Sequence, residues 1–82
     1  MSRRIVPYGI VASPSEFGRL IRQRRKEDGL TQSQAAALSG VGTRFLSELE
    51  RGKATAELGK ALRVMRGLGL NLTVTPRGGF AP

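Results

Sequence analysis

The chain has 82 residues, which is enough for one domain. A chain of this length buries only roughly 60–65% of the surface that its unfolded form exposes, so a monomer should be marginally stable. Cysteine and histidine are absent, which excludes disulfides, thiolate metal sites and histidine-based catalysis. We therefore expect no enzymatic activity, no metal site and no cofactor.

The charge balance is strongly basic. Fourteen Lys and Arg residues stand against six Asp and Glu residues, which gives a net charge of +8, and eleven of the fourteen are arginine. This charge favours a polyanionic partner, chiefly nucleic acid, although it also simply helps solubility. No apolar run approaches the roughly 20 residues of a membrane span, and no secretory signal is visible. The sequence predicts a cytoplasmic, nucleoid-associated protein with no membrane partner.

Capping signals predict where the first helix begins. Residues 1–12 are read as a basic arm, because two arginines precede a stretch interrupted by Pro7 and Gly9. Ser13 can cap a helix, Pro14 suits its first position, and Glu16 completes a capping box. The helix should end at Gly29. Its core-facing side chains are expected at helical spacing: Phe17, Leu20 and Ile21.

Two short helices are predicted next, joined by a turn. Thr31 to Gln34 form a second capping box, and the helix they start should end at Ser39-Gly40, where glycine can adopt the left-handed conformation. A third helix is expected over residues 42–50, with Phe45, Leu46 and Leu49 as its apolar positions. Such a pair is typical of a helix-turn-helix, here over residues 30–51, whose second helix lies in the major groove of DNA.

The remainder of the chain predicts one more helix and a strand. Thr55 should cap a helix over residues 56–68. Its expected buried stripe comprises Leu58, Ala61, Leu62 and Met65. Leu70, Leu72 and Val74 then alternate with polar residues, which predicts a strand over residues 70–75. Pro76 ends it, and residues 76–82 are read as a flexible tail. The fold class is therefore all-α over residues 13–69, with one short C-terminal strand.

An isolated strand invites pairing, because its edges carry unpaired backbone groups. We expect Leu70, Leu72 and Val74 to form a dimerisation surface, with a two-stranded ribbon between the protomers of a homodimer. The alternative is that the strand folds back onto the chain's own arm at residues 5–11. A two-fold dimer would place its two recognition helices on a palindromic operator.

The segments LTQSQAAALSGV (residues 30–41) and FLSELERGK (residues 45–53) resemble the XRE/Cro-like helix-turn-helix family. The resemblance implies a lambda-repressor-like domain of four to five helices. Residues 17–75 further resemble HipB-type antitoxins. That narrower resemblance implies a swapped β-lid dimer, repression of the protein's own operon and neutralisation of a HipA-like serine/threonine kinase. The alternatives are a stand-alone phage- or host-type repressor and an adaptor that touches DNA only non-specifically.

Roles in DNA binding follow from position in the motif. Thr43 and Arg44 lead the recognition helix and should contact bases, arginine pairing bidentately with guanine, although Arg44 also suits a phosphate. Ser47 and Glu48 fall near the same side; Glu48 could accept from cytosine N4 or pair with a neighbouring arginine. Phe45 suits either a thymine methyl group or the core. The expected phosphate contacts are Gln32, Arg51 and Lys53.

The family resemblance also assigns a structural pair. A glutamate at the position of Glu50 pairs in that family with an arginine late in the first helix, and Arg25 occupies the matching position. The resemblance thus implies that Arg25 and Glu50 lock the first helix onto the recognition helix. Other basic residues are interpreted as a solvated face: Arg19, Arg22, Lys60, Arg63 and Arg66.

Overall fold

A computed structural model of the chain describes residues 7–78, which contain four α-helices and no strand. The helices are α1 (Pro14–Glu27), α2 (Gln32–Ser39), α3 (Thr43–Glu50) and α4 (Leu58–Gly67). The all-α fold class is confirmed with four helices, and a fifth is absent from the described range. The basic start of the arm and the last four residues of the predicted tail lie outside the described residues.

The predicted caps start α1 and α2. The Ser13 hydroxyl accepts a hydrogen bond from the Glu16 backbone N–H at 3.2 Å, while the Glu16 carboxylate accepts from the Ala12 N–H at 3.1 Å. In the second box, the Gln34 N–H donates to Thr31 at 3.1 Å, and the Thr31 N–H donates to the Gln34 side chain at 2.8 Å. Each box satisfies backbone N–H groups that the first helical turn leaves without partners.

The turn between α2 and α3 depends on a left-handed residue. Gly40 ends α2 at φ 71°, a conformation that costs glycine little, and its N–H donates to the Ala37 carbonyl at 3.2 Å. The Val41 N–H donates to the Ala36 carbonyl at 3.0 Å, which completes the turn. Gly42 is extended and precedes α3. This turn sets the two helices of the predicted helix-turn-helix against each other.

The core lies where α1 packs on α3 and where α2 packs on both α3 and α4. Ala35 and Ala36 are fully buried, so α2 approaches its neighbours closely. Gly18 of α1 lies against the backbone of Leu49 and Glu50, which leaves no room for a β-carbon. The other buried apolar side chains come from α1, α3, α4 and the residue after α4: Ile21, Leu46, Leu49, Ala61, Val64, Met65 and Leu68.

The predicted start of α4 was wrong. Thr55 lies in a turn in which the Ala56 N–H donates to the Lys53 carbonyl at 3.4 Å, and the helix begins at Leu58 after Glu57. The predicted buried stripe is also rotated. Ala61 and Met65 are buried as expected, but Leu58 and Leu62 are 66% and 38% exposed. Val64 and Leu68 replace them, at the i+3 and i+7 positions from Ala61.

The predicted strand over residues 70–75 does not form within the single chain. A strand requires a hydrogen-bonded neighbour, and no backbone hydrogen bond joins residues 70–75 to residues 7–11. The alternative in which the segment pairs with its own arm is therefore not observed in the part of the arm that is described. Instead, the two segments and α1 line an apolar groove of about 650 Å³. Leu70 is half-buried, whereas Leu72 and Val74 are 52% and 89% exposed.

Neither a membrane span nor a metal centre can be identified between residues 7 and 78. No helix in this range is long and apolar enough to cross a bilayer. The acidic side chains of the same range do not gather into a group of three that could hold a metal ion.

Candidate nucleic-acid interface

One side of α3 is open to solvent. Thr43, Arg44, Ser47 and Glu48 recur at helical spacing and share that side, and the Arg44 side chain is 92% exposed. The opposite side is anchored in the core by Leu46 and Leu49. The four predicted base-contacting residues are therefore brought together on a single surface, from which the Arg44 side chain extends into solvent.

A buried ion pair holds α3 against α1. Arg25 donates to Glu50 twice, from Nε to Oε2 at 2.6 Å and from Nη2 to Oε1 at 2.9 Å. The Arg25 and Glu50 side chains are only 9% and 3% exposed. Arg25 also donates from Nη1 to the Leu30 carbonyl at 2.9 Å, in the connection that leads into α2. A single guanidinium thus fixes three segments, and the structure contains the pair that the family resemblance implied.

The ion pair and its hydrogen bonds change the pKa of Glu50 more than burial does. Burial alone raises the pKa of Glu50, but hydrogen bonds from Arg25 and Gln32 oppose it and hold that pKa below its ordinary value. The hydrogen bond to Glu50 likewise raises the pKa of Arg25 against the effect of burial. Both groups are therefore charged at neutral pH.

Gln32 has a second contact that the sequence did not indicate. It is the first residue of α2 and is half-buried, and its Nε2 donates to Glu50 Oε1 at 3.1 Å. A primary amide has two N–H groups, so one remains for a phosphate beside the backbone N–H groups of the α2 terminus. The predicted phosphate contact is thereby linked to the ion pair that positions α3.

Glu48 lies between two of the predicted DNA contacts. Its Oε1 accepts from Lys53 Nζ at 3.2 Å, and its Oε2 lies 3.6 Å from Arg44 Nε. The hydrogen bond from Lys53 lowers the pKa of Glu48 against the effect of burial, and the charges of Lys53 and then Arg44 add to this lowering. Of the two roles predicted for Glu48, the free structure contains the salt bridge. Arg51 is exposed just beyond α3 and remains a predicted phosphate contact.

Two basic residues of α4 lie closer to the motif than the sequence suggested. Lys60 Nζ is 5.7 Å from the ring centroid of Phe45, and Arg63 Nη1 donates to the Gly40 carbonyl at 3.4 Å. Phe45 itself is half-buried and packs on the core, as one of its two predicted alternatives required. The three-residue spacing of Lys60 and Arg63 places them on one side of α4, which was the available sequence signal.

Tyr8, in the described part of the arm, contacts the C-terminal half of α1. The Tyr8 hydroxyl donates to Glu27 Oε1 at 2.8 Å, and the Arg24 guanidinium lies 5.8 Å from the Tyr8 ring centroid. Arg24 Nε also donates to the Leu68 carbonyl at 3.0 Å, just after α4. Arg24 therefore joins the arm, α1 and the start of the C-terminal segment.

The elements described above define a helix-turn-helix DNA-binding domain. They are a capped two-turn helix, a glycine turn, and a second helix whose solvent-exposed side carries Arg44. The chain belongs to the helix-turn-helix family, whose HTH_3 model matches residues 21–74. It is 41% identical over 68 residues to an uncharacterised HTH-type transcriptional regulator, y4mF, of Sinorhizobium fredii, covering 83% of this chain and 90% of that protein. A second such regulator, from Methanothermobacter thermautotrophicus, is 44% identical over 50 residues, which span 61% of this chain and 72% of the relative.

Solved structures share the fold. A chain of the HipA-HipB-O2-O3 complex superposes with a TM-score of 0.77 at 22% identity, covering 84% of this chain and 97% of that one. A chain of the HipB-O4 20mer complex gives the same TM-score, identity and coverage. The predicted HipB-like arrangement of helices is confirmed at the level of the fold.

Proposed function

We propose that the protein is a sequence-specific transcriptional repressor that binds operator DNA. The observation that carries this proposal is the exposed side of α3, because Thr43 and Arg44 have no role in the core while Arg25 and Glu50 hold the helix rigidly behind them. Repression is steric in this proposal, since a bound protein occupies the promoter. Membership of the helix-turn-helix family supports the same conclusion.

The proposed contacts divide between positioning and reading. Gln32, Arg51 and Lys53 bind phosphates, which gives affinity that falls with salt and is independent of sequence. Arg44 reads a guanine edge, with Thr43 and Ser47 beside it in the major groove. With a net charge of +8, the protein is attracted to any duplex. Discrimination therefore depends on the few side chains along α3.

The Arg44→Ala substitution should distinguish base-specific binding from electrostatic attraction to any DNA. Arg44→Ala should weaken binding to the preferred duplex by about 1–3 kcal/mol more than binding to random DNA, because one bidentate base contact contributes that much discrimination. The measurement is fluorescence anisotropy on a duplex enriched by selection from a randomised library, compared with a scrambled duplex of equal length.

Two further variants complete this experiment. Lys53→Ala should weaken binding to both duplexes similarly and reduce the slope of log K against log salt by about 1. Lys26→Ala removes the same charge from an exposed position of α1 and serves as the control. If Arg44→Ala left the preference for the selected duplex intact, the proposed reading residue would be wrong.

We further propose that the repressor is a homodimer on a palindromic operator, joined through the C-terminal segment. Two observations support this. The Leu72 and Val74 side chains are exposed where they line the apolar groove. The backbone groups of residues 71–75 make no backbone hydrogen bond within the described part of the chain. Leu62 of α4 borders the same segment and is also partly exposed. A partner's segment would supply the neighbouring strand that residues 70–75 lack in one chain.

The double substitution Leu72→Asp and Val74→Asp should convert the dimer into a monomer, because it places two charges in an interface that excludes water. Sedimentation velocity at micromolar concentration should show the mass falling from about twice 8.8 kDa to the chain mass. Leu38→Asp, at an exposed leucine of α2, is the matched control. A wild-type monomer that retains full operator binding would overturn the proposed dimer.

The narrower proposal is that this repressor is a HipB-like antitoxin that neutralises a HipA-like serine/threonine kinase. Its support is the fold shared with HipB over 97% of that chain in a complex with HipA. The competing proposal is a stand-alone phage- or host-type repressor with the same DNA chemistry. Co-purification of a kinase encoded beside this gene would support the antitoxin, and a tagged chain that recovers no such kinase would favour the stand-alone repressor.

A further inference from the structure

The one carboxylate on the exposed side of α3 engages two cations. Glu48 Oε1 accepts a hydrogen bond from Lys53, and Glu48 Oε2 lies 3.6 Å from Arg44 Nε. The Glu48 side chain is only 26% exposed, whereas those of Lys53 and Arg44 are 47% and 92% exposed. The carboxylate is therefore set back on the surface, and the cations extend beyond it toward solvent.

Glu48 contacts Arg44 at Nε, which is not one of the two outer nitrogens of the guanidinium. Neither Nη group donates a hydrogen bond to the carboxylate. A guanidinium uses two adjacent N–H donors to bind O6 and N7 of guanine. Arg44 can thus bind a guanine through its outer nitrogens while Glu48 retains the inner one. The attraction at this distance restricts the conformations that the exposed Arg44 side chain adopts.

A phosphate bound to Arg44 would be repelled by Glu48, unlike a guanine. A phosphate oxygen that binds Arg44 comes near the Glu48 carboxylate, which lies 3.6 Å from Arg44 Nε, and like charges at short range repel. A neutral guanine edge carries no such penalty. The arrangement therefore favours base contacts at Arg44 over phosphate contacts.

We propose that Glu48 is a specificity-determining residue, which orients Arg44 for guanine and weakens the attraction of Arg44 for the phosphates of unrelated DNA. This inference rests on the proposed function, because it requires that α3 reads DNA. It assigns Glu48 a positioning role through Arg44 and no direct contact with cytosine.

The test is Glu48→Gln, which keeps the shape of the side chain and removes its charge. Binding to a scrambled duplex should strengthen several-fold, and the slope of log K against log salt should steepen by about 1 as Arg44 becomes free for a phosphate. The ratio of affinities for selected and scrambled duplexes should fall by about tenfold, within the range of one bidentate contact. The temperature of unfolding should stay unchanged.

The matched control is Glu27→Gln, which removes the same charge from the side of α1 that carries Tyr8. It should leave the affinity ratio unchanged. If wild-type protein discriminates between the duplexes and Glu48→Gln discriminates equally well, the role of Glu48 is refuted while the proposed function stands. If wild-type protein shows no preference for any selected duplex, the proposed function itself fails.

Discussion

Replacing Glu50 by alanine should destabilise the domain by about 3–5 kcal/mol, because it leaves a buried guanidinium without its counter-ion. Arg25 would keep only the Leu30 carbonyl as an acceptor while its side chain stays 9% exposed. For a chain of this length, such a loss is a large part of the free energy of unfolding. Urea denaturation followed by circular dichroism measures the change directly.

Two comparisons show whether the pair is responsible. Lys26→Ala, at the exposed cation next to Arg25, should change stability by no more than about 0.5 kcal/mol. The double variant Arg25→Met with Glu50→Leu should recover much of the loss, since apolar residues of similar volume often replace a buried pair at little cost. A double variant as unstable as Glu50→Ala alone would contradict this explanation.

The pair also makes stability depend on pH. The folded-state pKa of Glu50 lies below its ordinary value of 4.5, so the unfolded chain takes up a proton at a higher pH than the folded one. The stabilisation is therefore complete above the ordinary pKa and is lost as the pH falls through the depressed folded value. The wild-type protein should lose more stability below this range than the Arg25→Met and Glu50→Leu double variant.

Gly18→Ala should destabilise the domain by about 2 kcal/mol, although alanine is the better helix former. A β-carbon at Gly18 would overlap the Leu49 carbonyl and lie 2.6 Å from the Glu50 carbonyl oxygen. These atoms belong to the backbone and cannot rotate away, so overpacking costs about 3 kcal/mol at the upper end of its range. The gain in helix propensity, about 1 kcal/mol, offsets part of that.

The matched control for this prediction is Gly59→Ala in α4. There the added β-carbon meets only the tip of the flexible, exposed Glu57 side chain, at 2.8 Å. Gly59→Ala should therefore stabilise the domain by about 0.4–1 kcal/mol through the reduced entropy of the unfolded chain. Thermal unfolding of both variants gives the comparison. Equal changes in stability at the two glycines would show that the close approach of α1 and α3 does not require glycine at position 18.

Local chemistry explains which elements could be predicted from the sequence. Ser13, Thr31 and Gly40 each act on backbone groups within a few residues, so the starts of α1 and α2 and the turn before α3 were evident. Thr55 has the same capping chemistry. Its failure to cap α4 reflects the turn between Lys53 and Ala56, which depends on how α3 ends in three dimensions.

Long-range features were less accessible. Period-two alternation predicted a strand over residues 70–75, but a strand depends on a hydrogen-bonded neighbour, and the described residues supply none. On α3, spacing placed Arg44 and Glu48 on one side, and the resemblance paired Arg25 with Glu50. The contact of Gln32 with Glu50 joins residues 18 positions apart. No pattern in the sequence reports such a contact, because it follows from the packing of α2 against α3.

The hydrogen bond from Arg24 to the Leu68 carbonyl has a consequence for symmetry. It fixes the direction in which the chain leaves α4 toward residues 70–75. In the proposed dimer, that exit angle determines the rotation of one protomer relative to the other, and therefore the distance between the two α3 helices. Successive major grooves on one face of B-DNA lie about 34–36 Å apart. Arg24 would thus influence the spacing between half-sites although it lies outside the proposed base-reading side of α3.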